Sequence, residues 1–185
     1  MNIVIVYESV YGNTRLVAEA IAAGARQSDP DGAHTVIRCD AVAPSLVTGA
    51  DLLIAGGPTH MMSMTRQSSR SKAVQPLKDN PDEPRHLEPG AEGPGIREWL
   101  ATLPRATRTE AAAFDTRMNY PVAGGAAPRI ARKLRRLGYR VAAKPEGFFV
   151  AAAEGPMRPG ELDRARRWGA DLADRRVARP SSTTV

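Results

Sequence analysis

Cysteine is almost absent: Cys39 is the single one in 185 residues, so no internal disulfide can form. It ends an apolar run and reads as a buried structural thiol, and a cytoplasmic location follows as the default. No apolar run approaches the roughly 18 residues of a membrane span, so none is expected. The opening "MNIVIVYE" lacks the basic start and small-residue cleavage site of a signal peptide, and reads as a strand that begins at once. Two phosphate motifs are missing as well. The chain has neither the Gly-Lys-Ser/Thr ending of a nucleoside triphosphate loop after its first strand nor the Gly-x-Gly-x-x-Gly of a dinucleotide site. No metal site and no catalytic side chain are read from the residues.

What is present suits one soluble domain with a full core: 42% of residues are hydrophobic and 25% charged. The balance is basic, with 26 Lys and Arg against 20 Asp and Glu and a net charge of +6. The arginines crowd two C-terminal stretches of helical period, "RIARKLRRLGYR" and "RPGELDRARRWGADLADRR". These read either as solvated helix faces or as a surface for an acidic protein, an anionic substrate or nucleic acid. Only Tyr139 interleaves the first stretch, thin support for base stacking, so no specific nucleic-acid binding is expected.

Strand and helix patterns alternate. Apolar runs predict strands over 2–6, 33–39, 50–57, 111–116 and 140–150, the last bent near Pro145 and Gly147. Helical spacing predicts helices over 13–26, 95–103, 126–138 and 159–177, with at most one further turn around "APSLVTG". Trp99 and Trp168 fall on the apolar stripes of two of these helices and read as core anchors. Such alternation implies right-handed crossovers and a doubly wound parallel sheet. Residues 75–95 hold five prolines among acidic and glycine residues, and read as a flexible loop inserted into a single domain spanning 1–177. The tail 178–185 is expected to be disordered.

The turn after the first strand, "ESVYGNT", is richer in polar residues than reversal alone requires. Ser9 and Thr14 supply hydroxyls, Gly12 allows close backbone approach, and the amides from Val10 to Thr14 can converge at the positive end of the next helix. That is a nest for a terminal phosphate monoester, held without Lys or Arg.

On these residues the chain resembles the flavodoxin family, whose first strand is followed by Thr/Ser-x-Thr-Gly-Asn-Thr. Ser9, Val10, Tyr11, Gly12, Asn13 and Thr14 match except at the third position, where Tyr11 is similar to the flavodoxin-like quinone reductases. "GGPTHMMSMT" (56–65) and "FDTRMNYPVAGGAA" (114–127) resemble the family's two flavin-flanking loops. The resemblance implies a three-layer α/β/α fold with five parallel strands in the order 2-1-3-4-5 and FMN as cofactor. It implies that Ser9, Val10, Tyr11, Gly12, Asn13 and Thr14 hold the phosphate. Pro58, Thr59, His60 and Met61 would cover one side of the ring. Asp115, Thr116, Arg117 and Tyr120 would cover the other, with Gly124 and Gly125 admitting the backbone. Two departures matter. Methionines stand where many flavodoxins place tryptophan, and Arg66, Arg70 and Arg117 lie in or beside the flanking loops, which favours a higher flavin potential than that of a low-potential shuttle. Three functions follow: an electron carrier serving a redox partner protein, an FMN-dependent NAD(P)H:quinone-type reductase serving a small acceptor, or a flavodoxin fold without FMN acting as a binding module. Oligomeric state is left open.

Overall fold

A computed structural model of the chain describes residues 1–79, 87–107, 109–119 and 124–177. Strand β1 (Asn2–Tyr7) is apolar on both faces because both are covered. Ile3, Ile5 and Tyr7 pack into one cluster and Val4 and Val6 into another, the period-two alternation of a strand. The chain continues through α1 (Asn13–Ser28), β2 (Ala33–Arg38), α2 (Pro44–Thr48), β3 (Leu52–His60) and β4 (Ser63–Met64). Helices α3 (Gln67–Asp79) and α4 (Ile96–Thr102) then lead to β5 (Glu110–Met118), α5 (Ala126–Arg136), β6 (Arg140–Val141), β7 (Glu146–Val150) and α6 (Glu161–Val177).

The sheet runs β2-β1-β3-β5, with β6 and β7 sharing the last place beside β5, and every pairing but that of β4 is parallel. This is the expected 2-1-3-4-5 order, with the fifth strand split in two at 142–145. Gly147, expected at the bend, lies inside β7 instead, where a Cβ would come within 2.5 Å of the Arg117 guanidinium. Helices α1 and α6 cover one face, and α4 and α5 the other. Trp99 is buried as expected, and Trp168 packs edge-on against Phe148, with centroids 6.0 Å apart. Cys39 is buried, and burial pushes its thiol up to about 12, as suits an inert core residue. No described helix is long and apolar enough to cross a membrane.

The expectation for 75–95 needs correction at its start. Helix α3 extends through Asp79, with Pro76 inside it, and no helix was predicted over 67–79. The pattern concealed it because α3 has no apolar stripe: of its described side chains, only Val74 and Arg70 are buried. The far part of the stretch packs on the first turn. Glu88 N–H donates to the Val10 carbonyl at 2.9 Å, and Ala91 joins Val10 and Val74 in a small apolar cluster. Residues 80–86 and the predicted tail 178–185 lie outside the described residues.

Helices α1 and α6 meet where each lacks a side chain. A Cβ on Gly24 would come within 1.8 Å of the Arg166 carbonyl oxygen, and one on Gly169 within 2.1 Å of the Ile21 carbonyl oxygen. Backbone cannot yield as a flexible side chain can, so the helices would have to separate. Gly169→Ala is therefore expected to destabilise the chain by about 1–3 kcal/mol, the usual cost of overpacking. A urea unfolding midpoint unchanged from the parent would contradict this account of the helix crossing.

Candidate functional site

Strands β1, β3 and β5 leave the sheet at the same edge, and the loops beyond them line one cleft of about 880 Å³. Ser9, Val10, Tyr11, Asn13 and Thr14 supply one wall; Pro58, Thr59, His60 and Met61 supply a second; Thr116, Arg117 and Gly124 a third. These predicted residues are thus brought together. Gly12 lies among them at φ 88°, a left-handed conformation that glycine adopts without strain. Tyr120 falls outside the described residues.

The side chains of the first loop are occupied in shaping it. Gly12 N–H donates to Ser9 Oγ at 3.0 Å, and the Tyr11 hydroxyl donates to the Ala73 carbonyl of α3 at 2.9 Å. The hydroxyls of Thr14 and Thr116 meet at 2.7 Å, tying the first and third walls, while Asn13 Nδ2 donates to the Glu154 carbonyl. The main-chain amides at the start of α1 are what remain. Helix α1 begins at Asn13 with no side-chain cap and no acidic residue in its first turn among the described residues. The first N–H groups of a helix have no partner inside it, so this end has the chemistry of a donor set for an anion. Glu88 stands outside the cleft, against Gly12, and is paired with Arg15 at 2.9 Å.

Of the predicted residues that are described, Gly12, Asp115 and Gly125 do not line the cleft. Asp115 is fully buried beneath it: Oδ2 accepts from the Thr59 hydroxyl at 3.0 Å and from Ala127 N–H at 2.9 Å. With Thr59 Oγ1 accepting from Ala126 N–H at 2.8 Å, it fastens β3 to the start of α5. Gly125 lies behind the wall at φ 149°, where a Cβ would come within 2.5 Å of Asp115 Oδ2. Arg70, expected as a charge beside the ring, borders the cleft from α3 but is buried and bound to Glu98 at 3.1 Å. Arg117 does line the cleft, donating to the Gly124 carbonyl at 3.0 Å and pairing with Asp115 at 3.5 Å.

Residues 61–64, within the stretch read as the first flanking loop, close a hairpin. Thr59 pairs with Met64 and His60 with Ser63, so Met61 and Met62 make a two-residue turn with φ 45° and 60°. Such turns favour Asn-Gly because both residues need positive φ, which costs other residues free energy. Neighbours hold it: Gly125 N–H donates to the Met62 carbonyl at 3.2 Å, and Arg97 to the carbonyls of Met64 and Thr65. Sequence reasoning also missed the α3 side of the cleft (Ser69, Lys72, Ala73) and the segment Phe149–Glu154. The second was open to a topological signal, since a fifth parallel strand must also end at this edge.

Glu8 explains part of the polar first turn. Its carboxylate turns inward, accepting from the Thr65 hydroxyl and from Ile96 N–H at 2.7 Å, at the start of α4. Arg70 donates to Thr65 Oγ1 at 3.0 Å, so one buried cluster joins the first turn, the hairpin, α3 and α4. Desolvation raises the Glu8 pKa above the ordinary carboxylate range, despite opposing effects of its hydrogen bonds and of Arg70, and Asp115 is raised in the same way.

The folded chain therefore holds these protons more tightly than the unfolded chain. Their contribution to stability is fully present below the ordinary carboxylate values and is lost as pH rises through the raised ones. The urea midpoint is expected to fall as pH rises above the ordinary carboxylate range, and Glu8→Gln to flatten that fall; an identical slope in the variant would exclude Glu8 as a source. Replacing the tip by its favoured pair, M61N/M62G, is expected to raise stability by about 1–2 kcal/mol through release of backbone strain. A lower midpoint than the parent's would show that side-chain contacts outweigh it.

No protein-family model and no curated protein matches the chain. Solved structures do. A flavodoxin from the domain Archaea superposes with a TM-score of 0.64 at 24% identity, over 96% of this chain and 99% of that one. Flavodoxin 1 from Bacillus cereus gives 0.60 at 18% identity over 92% and 95% of the two chains. A WrbA-like flavodoxin protein from Agrobacterium tumefaciens gives 0.59 at 20% over 96% and 98%. With strand order, layers and convergent loops all in agreement, the chain has the flavodoxin-like fold.

Proposed function

We propose that the chain binds FMN non-covalently in this cleft and transfers electrons through it. The observation that carries the proposal is the uncapped start of α1, facing a cleft whose first-loop side chains are engaged elsewhere. Backbone N–H groups and the helix dipole make a site for a phosphate dianion, and the adjoining walls are long enough to hold a planar group beyond it. Bound there, FMN supplies one- and two-electron redox chemistry. The chain's own residues bind, orient and shield. Residues Ser9 to Thr14 hold the phosphate; Thr59, His60 and Met61 form one flank and Thr116 to Asn119 the other. Asp115 and Thr59 keep the two flanks in register by tying both to α5. Arg117 places a fixed positive charge at the cleft, which favours an anionic reduced cofactor.

A second reading rests on the extent of the cleft. It continues past the flanking loops to Ser69, Lys72 and Ala73 on α3, which leaves space for a second molecule and favours an FMN-dependent NAD(P)H:quinone-type reductase. Anaerobic NADPH separates the two readings: direct bleaching selects the reductase, and bleaching only through a separate reductase protein selects the carrier.

The purified chain is expected to be yellow, and apoprotein to bind FMN at least about 100-fold more tightly than riboflavin, because the phosphate makes the charge-assisted hydrogen bonds. Colourless protein that takes up no FMN by calorimetry would reject the proposal, and equal affinity for riboflavin would reject the role of the first loop. Arg117→Gln is expected to lower the cofactor's potential by on the order of tens of millivolts in a spectroscopic titration. An unchanged potential would remove Arg117 from that role.

A further inference from the structure

The two arginine-rich stretches are alike in the sequence and unlike in the fold. Helix α6 has five cations and four acids over Glu161–Val177. Two of these cations are paired at home: Arg164 with Glu146 and Glu161, and Arg166 with Asp163. Helix α5 has Arg129, Arg132, Lys133, Arg135 and Arg136 among 11 residues and no acid. None of these five is paired with a carboxylate among the described residues. Arg129, Arg132, Lys133 and Arg136 stand three or four residues apart and form one stripe, at a spacing where like charges destabilise a helix. Favourable interaction with the helix dipole accounts for Lys133, Arg135 and Arg136 in the last turn, and not for Arg129 and Arg132 nearer the positive end.

The stripe starts at the mouth of the cleft. Arg129 Nε donates to the Met62 carbonyl at 3.4 Å. Beside it the hairpin tip presents Met61, 88% exposed, and Met62, 45% exposed, two of the three large exposed apolar side chains among the described residues. A strained, apolar and adaptable tip adjoining an uncompensated basic stripe has the composition of a contact surface. Tyr139, the aromatic near the stripe, is buried at 4% exposure and offers no face for a base.

We propose that the Met61–Met62 tip and the basic stripe of α5 form the docking surface for an acidic redox protein that exchanges single electrons at the cleft. The electron lost by one member of the pair is gained by the other, and no covalent bond forms or breaks. This function rests on the FMN reading; the docking itself needs no cofactor, so the two can fail separately.

The test is an NMR titration of the 15N-labelled chain, with and without FMN, using a [2Fe–2S] ferredoxin of strongly negative net charge as the probe. A positively charged cytochrome c, a random-sequence DNA duplex and phosphatidylserine vesicles serve as comparisons. Amide shifts are expected at Met61, Met62, Arg129 and Arg132, with affinity for the ferredoxin falling as salt rises. R129E/R132E is expected to weaken binding at least about tenfold, while R167E/R175E on α6 leaves it unchanged. The single variant R132E, at an exposed position, repeats the test if the double variant does not fold. The proposal is overturned if the cytochrome, DNA or vesicles bind as tightly as the ferredoxin, or if the α6 variant weakens binding as much as the α5 variant. Docking by a chain that takes up no FMN would support the surface and reject the flavin reading; yellow protein with no docking would do the opposite.

Discussion

Three parallel strands end side by side, and the position of every other functional group follows from that alignment. Tyr7 of β1, Gly56 of β3 and Phe114 of β5 stand in one row of the sheet. The fit of one residue to another helps to set the row, since a Cβ on Gly56 would come within 2.2 Å of the Phe114 ring. Because the helical crossovers keep the strands parallel, all three chains leave at the same edge and in the same direction. A cleft there requires no special device beyond loops long enough to wrap it.

Those loops are polar for two different reasons. Some of their side chains are structural. Glu8 meets the start of α4, and Asp115 with Thr59 meets the start of α5, so buried carboxylates lie at helix ends whose N–H groups partly offset their desolvation. Other side chains, Ser9, Tyr11, Asn13 and Thr14, bond to neighbouring segments and hold the first loop in shape. Both uses leave the start of α1 without a side-chain cap. Under the proposed function, binding by backbone there would hold an anion without a lysine or arginine in the first loop.

Strain and charge are distributed unevenly around the same edge. The Met61–Met62 turn holds two non-glycine residues at positive φ, and it lies where Arg129 and Gly125 grip the Met62 carbonyl. Basic residues are balanced on α6 and unbalanced on α5. A composition of +6 cannot express that difference; it appears only when each helix is assigned its neighbours.

The alternation of strands and helices was legible in the residues, because continuous apolar runs and helical spacing report which faces are covered; strand order, layers and the convergence of the three loops were expected from the family resemblance. The polar first turn, with its glycine and hydroxyls, likewise marked the loop that lines one wall of the cleft. Hidden from view were α3, which has little apolar face to signal itself, and the hairpin, whose Met-Met turn carries none of the usual turn residues. Also hidden were the partners of Asp115, which lies beneath the cleft, and of Arg70, which borders it: both are buried, Asp115 bonded to Thr59 and Ala127 and Arg70 paired with Glu98. Local pattern determines which segments become strands and helices, because period and burial are properties of neighbouring residues. Which polar side chain is spent on packing and which faces the cleft was decided only in the tertiary structure, because that depends on hydrogen-bond partners dozens of residues away.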